Sequence, residues 1–223
     1  MVTKPDIGAS GWGTTLNAAL DDLQAQTTAN ANNTATNTAG IAALQPTNFG
    51  ALESGYKAWT FPAEQVPGGG TIPGAGAVTL GKVLVNSSQS VSGIALWVAT
   101  GGTGLTAGQN FAGVYNSSGT LVATTADLTT AWAGTGWMNH TLTGGPFALA
   151  AGSYWVAIMS NAATTRPTFG RGANLLSGAL YNGMLSNANL RFATNGTGTT
   201  ALPSSITPSS NVSNNVPYWL ALT

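Results

Sequence analysis

One spacing near the N-terminus constrains this chain more than any other feature. Leu16, Leu20, Leu23, Thr27, Asn30, Thr34, Asn37, Ile41 and Leu44 recur at alternating steps of four and three. That is a heptad seam, with Leu20, Thr27, Thr34 and Ile41 at the a positions and Leu16, Leu23, Asn30, Asn37 and Leu44 at d. The spacing predicts a helix over residues 14–45, capped by Thr14 and stopped by Pro46. The seam is about 43 Å long at ~1.5 Å per residue. Its centre is polar. Thr and Asn are weak helix formers and Gly40 is weaker still, so TTANANNTATNTAG alone would scarcely be helical in water. Yet Thr and Asn recur at matching a and d positions, bracketed in register by apolar layers. A coiled coil with other chains accounts for both observations; a disordered Thr/Asn/Ala linker is the competing reading. Buried Asn layers weaken a coiled coil but fix its register and strand number. The a and d residues alone do not choose between two strands and three.

Ahead of the helix, residues 1–13 (MVTKPDIGASGWG) read as an extended arm whose only large aromatic is Trp12. Trp12 either packs on its own helix start or docks into a partner. Residues 46–77 read as a collar and linker. YKAWTF (56–61) suggests a first strand, and PGGGTIPGAGA (67–77) a loop or hinge.

From Val78 onward, short apolar runs alternate with turn residues. Strands are expected at 78–85, 91–99, 111–116, 120–125, 137–142, 153–160, 189–194 and 217–223. Ser-Ser-Gly between the third and fourth signals a hairpin. In SYWVAIM, Tyr154, Val156 and Ile158 face one side and Trp155, Ala157 and Met159 the other. Strands apolar on both faces fit the centre of a sandwich or a subunit contact. Residues 161–188 are the least regular part and read as a long excursion. The expected fold is mainly β: a helical coiled-coil stalk (14–45) followed by a β-sandwich or jelly-roll-like head (78–223).

Charge is scarce. Only 5% of residues are charged, six Lys+Arg balance six Asp+Glu, and Cys is absent. A neutral chain has no electrostatic footprint for nucleic acid or anionic membranes. No apolar run approaches ~18 residues, and the N-terminus lacks a secretory signal, so no membrane partner is expected. Without Cys there are no disulfides, thiol nucleophiles or Cys-based metal sites.

The inventory for catalysis is equally thin. The acids are Asp6, Asp21, Asp22, Glu53, Glu64 and Asp127, and only Asp127 falls in the β region proper. A glycosidase needs paired carboxylates. His140 is the only histidine, on an expected strand, where a structural role is the ordinary one. No cluster has metal-ligand spacing, and no G-x-S-x-G motif supports a Ser–His–Asp triad. No cofactor or metal is expected. Seven Trp residues are more suggestive, because sugar C–H faces stack on aromatic rings and sugar hydroxyls pair with polar side chains. Trp97, Trp155 and Trp219 sit in apolar strands and read as core. Trp132 and Trp137 lie in or beside the polar segment AWAGTGW and, with Asp127, form the candidate ligand surface. The alternative is that both Trp cap the end of the sandwich. Arg166, Arg171 and Arg191 either contact an acidic ligand or make salt bridges or hydrogen bonds to loop carbonyls.

Several stretches together resemble a family of phage virion proteins, mostly minor tail or tail-fibre proteins of viruses of actinobacteria. KPDIGASGWGTTLNAALDDL resembles their attachment arm and stalk start. FAGVYNSSGTLVATTADLTTAW with PFALAAGSYWVAIM resembles their head core, and NLRFATNGTGTTALPSSITPSSNVSNNVPYWLAL their C-terminal closure. The resemblance implies a homotrimeric fibre in the virion, held to other virion proteins through Pro5, Ile7 and Trp12, whose head binds host-surface glycan or protein. Asn at d resembles the stalk layers of trimeric fibres, where rings such as those at Asn30 and Asn37 can hold a central anion. A structural capsid fibre or decoration without a receptor is the second expectation, and an envelope-polysaccharide hydrolase the third.

Overall fold

The computed structural model describes residues 11–43, 50–66, 69–173 and 182–223. The chain divides into two compact units, residues 1–48 and 49–223. Pro5, Ile7, Leu44 and Pro46 lie outside the described residues.

The described residues of the first unit form the helix α1, Gly11–Ala43, of 33 residues. It begins three residues before the expected Thr14 cap, so Trp12 sits in its first turn rather than in an extended arm. Leu16 and Leu23 are 41% and 59% exposed, Leu20 is half-buried, and Thr27, Asn30, Thr34 and Asn37 are exposed. The Thr27 and Thr34 hydroxyls donate to the carbonyls of Leu23 and Asn30, at 2.8 and 2.9 Å. Thr28 and Thr38 do the same to Gln24 and Thr34. This bonding one turn back satisfies the hydroxyl inside the helix. Among the described residues no helix is long and apolar enough to cross a membrane.

In the second unit every strand pairing among the described residues is antiparallel. One six-stranded sheet contains β3 (Thr79–Val85), β6 (Thr103–Asn116), β7 (Leu121–Thr124), β10 (Gly152–Thr165), β12 (Phe192–Thr194) and β13 (Val212–Ser213). Its order is β13-β12-β3-β10-β6-β7. The other sheet is built on β5 (Gly93–Thr100). Along one side of β5 runs β8 (Gly136–Thr141); along the other lie β14 (Leu220–Leu222) and β11 (Thr168–Gly170). β1 (Ala58–Trp59) then pairs with β14, and β2 (Gly70–Thr71) with β11. A separate pair joins β4 (Gln89–Val91) to β9 (Phe147–Leu149).

The alternation of side chains along these strands explains the core. Ile94, Leu96 and Val98 of β5 share one apolar cluster with Val83, Val85, Val114, Val156 and Ile158 of the facing sheet. Trp155 and Ala157 point the other way, as the sequence implies. They are covered by Leu190 and Ile206 of the same chain, and the Tyr115 hydroxyl donates to the Pro203 carbonyl at 2.8 Å. The second buried face of β10 is therefore satisfied internally, not by another subunit.

Three boundaries differ from expectation. Residues 50–66 and 69–77, expected as a collar and linker, fall in the same compact unit as the strands. Lys57 and Thr60 N–H donate to the Leu222 and Leu220 carbonyls, and Thr60 Oγ1 both donates to Tyr218 O and accepts from Leu220 N–H. β6 starts at Thr103, not Phe111, because its polar first half pairs with an equally polar extension of β10, matching Leu105 to Ala162 and Thr103 to Thr165. The supposed excursion at 161–188 accordingly opens with the end of β10 and then β11.

The Ser-Ser-Gly hairpin forms as expected. Asn116 Oδ1 accepts from Ser118 N–H, Ser118 Oγ and Thr120 N–H, and Gly119 takes φ +92°. A Cβ on Gly119 would lie 2.2 Å from the Ile206 carbonyl oxygen. Gly119→Ala should cost about 1–3 kcal/mol of stability, from overpacking plus a backbone conformation foreign to L-residues. Chemical denaturation measures this; an unchanged midpoint contradicts the close approach of the 206 segment to the turn.

Candidate functional site

The three residues expected to make one ligand surface are divided among different environments. Trp132 is held in a short 3₁₀ turn, Ala131–Ala133, and is fully buried. Its ring meets Phe169 edge-on at 4.8 Å, and its Nε1–H donates to His140 Nε2 at 3.0 Å. Trp132 is therefore core and not, as expected, part of a ligand surface: the indole has no free face for a ligand. Trp137, five residues on, points outward from β8 and is 57% exposed. Asp127 is exposed, but its carboxylate works as a local cap. It accepts from the Asn110 N–H at 3.3 Å and the Thr129 hydroxyl at 3.0 Å. Partial burial raises its pKa, but hydrogen bonds from the Gly108 backbone, the Thr129 hydroxyl and the Asn110 and Thr129 backbones outweigh this and hold it below the ordinary carboxylate value.

The division follows from strand alternation. On β8, Met138 packs against the core and His140 is buried, while Trp137, Asn139 and Thr141 face outward and are exposed. His140 accepts a hydrogen bond at Nε2, so its imidazole is neutral with the proton on Nδ1. Burial lowers its pKa. This is a satisfied core histidine beside a buried Trp, with no carboxylate bonded to it among the described residues.

The outward face of the β5 sheet carries an aromatic cluster that the sequence does not display as one. Trp137 stacks on Trp97 with ring centres 6.0 Å apart and planes at 27°. It also meets Trp219 edge-to-face at 4.9 Å, and Trp219 in turn meets Tyr56 at 5.3 Å. Trp219 is fully buried, as expected, but Trp97 is only half-buried. The available signal was Trp97 and Trp137 in separate strands. Only the pairing register, which sets Trp97 opposite Trp137, joins them.

The three arginines bond to carbonyls: Arg166 to Pro73, Arg171 to Gly172 and Arg191 to Thr60, at 3.0, 3.2 and 3.1 Å. A cleft of about 640 Å³ is lined by Ile72, Thr79, Thr194, Asn214 and Tyr218 among others, with no acid, His, Lys or Arg in its walls. Burial raises the Tyr218 phenol well above its ordinary pKa, opposed by Arg171 and Arg166. Such a phenol is a poor base at neutral pH. Among the described residues, no group of three or more His, Asp or Glu could hold a metal ion.

His140 provides a pH test of this core. Burial favours the neutral ring, so the unfolded chain binds the proton more readily than the folded one. The associated stability is present above the unfolded value of about 6.5 and is lost as pH falls below it. The thermal midpoint should drop between pH 7 and 5, and should drop less in His140→Gln. Parallel pH profiles for the two proteins contradict the buried neutral imidazole. No protein-family model matches the chain, and no curated protein matches it either.

Proposed function

We propose that this protein is a non-enzymatic, homotrimeric fibre subunit of a bacterial-virus particle, most naturally of the tail. It attaches to other virion proteins through its N-terminal residues and presents the β unit to the host surface. The observation that carries the reading is the exposed heptad seam of α1. A helix rich in Thr and Asn gains little from propensity, and helices in water are stabilised chiefly by burying a face. Partner chains would bury Leu16, Leu20 and Leu23. Thr27 and Thr34 would turn their methyl groups to the seam, since their hydroxyls already bond within the helix. The amides of Asn30 and Asn37 would remain to pair between chains, fixing register, and could hold an anion on the axis. Three strands rather than two follow from the resemblance to trimeric fibre stalks.

The non-enzymatic part rests on how the few chemical groups are used. Asp127 caps a loop, His140 serves a buried Trp, and the arginines bond to carbonyls. A hydrolase would need acid and base groups converging on a cleft.

Sedimentation of the full chain should give the mass of a trimer, and labelled protein should map to the tail of the particle. A monomer in solution overturns the stalk; label on the capsid shell favours the decoration reading. Replacing Asn30 and Asn37 together by Ile should raise the melting temperature of the helical signal while broadening the range of oligomers. A lower melting temperature contradicts their place in the seam.

A further inference from the structure

We propose that the outward face of β8, centred on Trp137, is a binding site for an uncharged oligosaccharide. The inference rests on the host-attachment reading above and narrows it to one face and one class of ligand. Trp137 is the exposed ring of an aromatic cluster. Its cross-strand neighbour Trp97 lies alongside it and Trp219 meets it at a steep angle, so the indole is packed on two sides while more than half of it stays exposed. A fixed aromatic contact loses little conformational entropy on binding. Trp219 Nε1–H is buried with no acceptor among the described residues.

Beyond the ring, polar groups follow along the same face. Asn139 and Thr141 stand about 7 and 14 Å from Trp137 along the strand, at ~3.4 Å per residue. The Thr223 hydroxyl donates to Asn139 Oδ1 at 2.9 Å, which fixes the amide and leaves Nδ2 as a donor with no hydrogen-bond partner among the described residues. Gly93 makes this possible, because a Cβ there would lie 2.6 Å from both Asn139 Oδ1 and Thr223 Oγ1. Ala95 and Ala221 are buried under Tyr56 and Trp59, so the open part of the face is Trp137, Asn139 and Thr141 of β8 itself. The outward positions of β5, β8 and β14 hold no Asp, Glu, Lys, Arg or His side chain. An apolar ring followed by neutral donors and hydroxyls matches a pyranose, whose C–H face stacks while its hydroxyls bond. A protein partner of the same face, including a second copy of this chain, is the alternative occupant.

The test uses the full chain on an array of uncharged and acidic oligosaccharides. The best uncharged ligand is then titrated in solution by tryptophan fluorescence. Retention of uncharged glycans, insensitive to salt, is expected. Trp137→Ala should weaken binding roughly tenfold or more, with Trp137→Phe restoring part of it. Asn139→Ala should weaken binding while leaving the thermal midpoint within a degree or so. No retained uncharged glycan overturns the proposal. So does equal binding by Trp137→Ala, retention of acidic glycans alone, or a changed oligomeric mass in that variant. The two readings fail separately. Host cells bound equally well by the unmutated protein and Trp137→Ala remove this site but leave host attachment standing. Trp137-dependent glycan binding by a monomer leaves the site but removes the fibre.

Discussion

The pairing of β10 with β3 on one side and β6 on the other sets what can face outward in the sheet it centres. Trp155 stands between Lys82 and Tyr115, and Val156 between Gly81 and Val114. With both edges of β10 paired, its register is fixed twice. A slip of one residue would turn Val156 and Ile158 out of the shared core and drive Trp155 into it. Each fully buried large apolar side chain contributes about 1.5–3 kcal/mol, so such a slip would cost several of these at once. The outer face of the sheet is no freer. Lys82 sits over the Trp155 ring at 4.6 Å and donates to the Ala188 carbonyl, pinning the covering segment in place. That segment returns the chain to β12 and so to the far side of β3.

Elements with a strong period were legible in advance. The helix was marked by its heptads, and SYWVAIM by an alternation whose two faces the structure buries separately. The hairpin at Asn116–Thr120 was marked by residues that bond their own backbone. Elements held by pairing alone were not legible. TGLTAGQN forms half of β6 with no apolar face, because its partner there is also polar and exposed. β2 is two residues long and extended only because Phe169 and Gly170 supply its hydrogen bonds. The collar at 56–61 looked separate because its partner, β14, lies at the other end of the sequence. Strand pairing across such distance leaves no local trace.

The candidate site divided along the same line. Trp132 and Trp137 look equivalent in AWAGTGW, but a 3₁₀ turn and Gly136 at φ +119° stand between them. Side-chain direction cannot be counted through a turn, and the period of two restarts at β8. Trp132 turns inward to His140, while Trp137 turns outward to Trp97. The acids are few, and nothing in the sequence reveals that Asp127 is engaged by the Asn110 and Thr129 groups that order its loop.

A chain with 5% charged residues also limits how it can recognise anything. Long-range steering is weak, so encounter has no electrostatic acceleration and little dependence on salt. Contact must rely on stacking and neutral hydrogen bonds, which are individually modest. A single Trp137 face would therefore bind weakly. In the proposed trimer three such faces would share one anchored particle, and a repetitive surface would convert weak sites into avidity through effective concentration. The polar seam and the neutral binding face would then be two parts of one arrangement. Asn30 and Asn37 would give up some stalk stability for a defined number of strands, and that number would multiply the Trp137 contact.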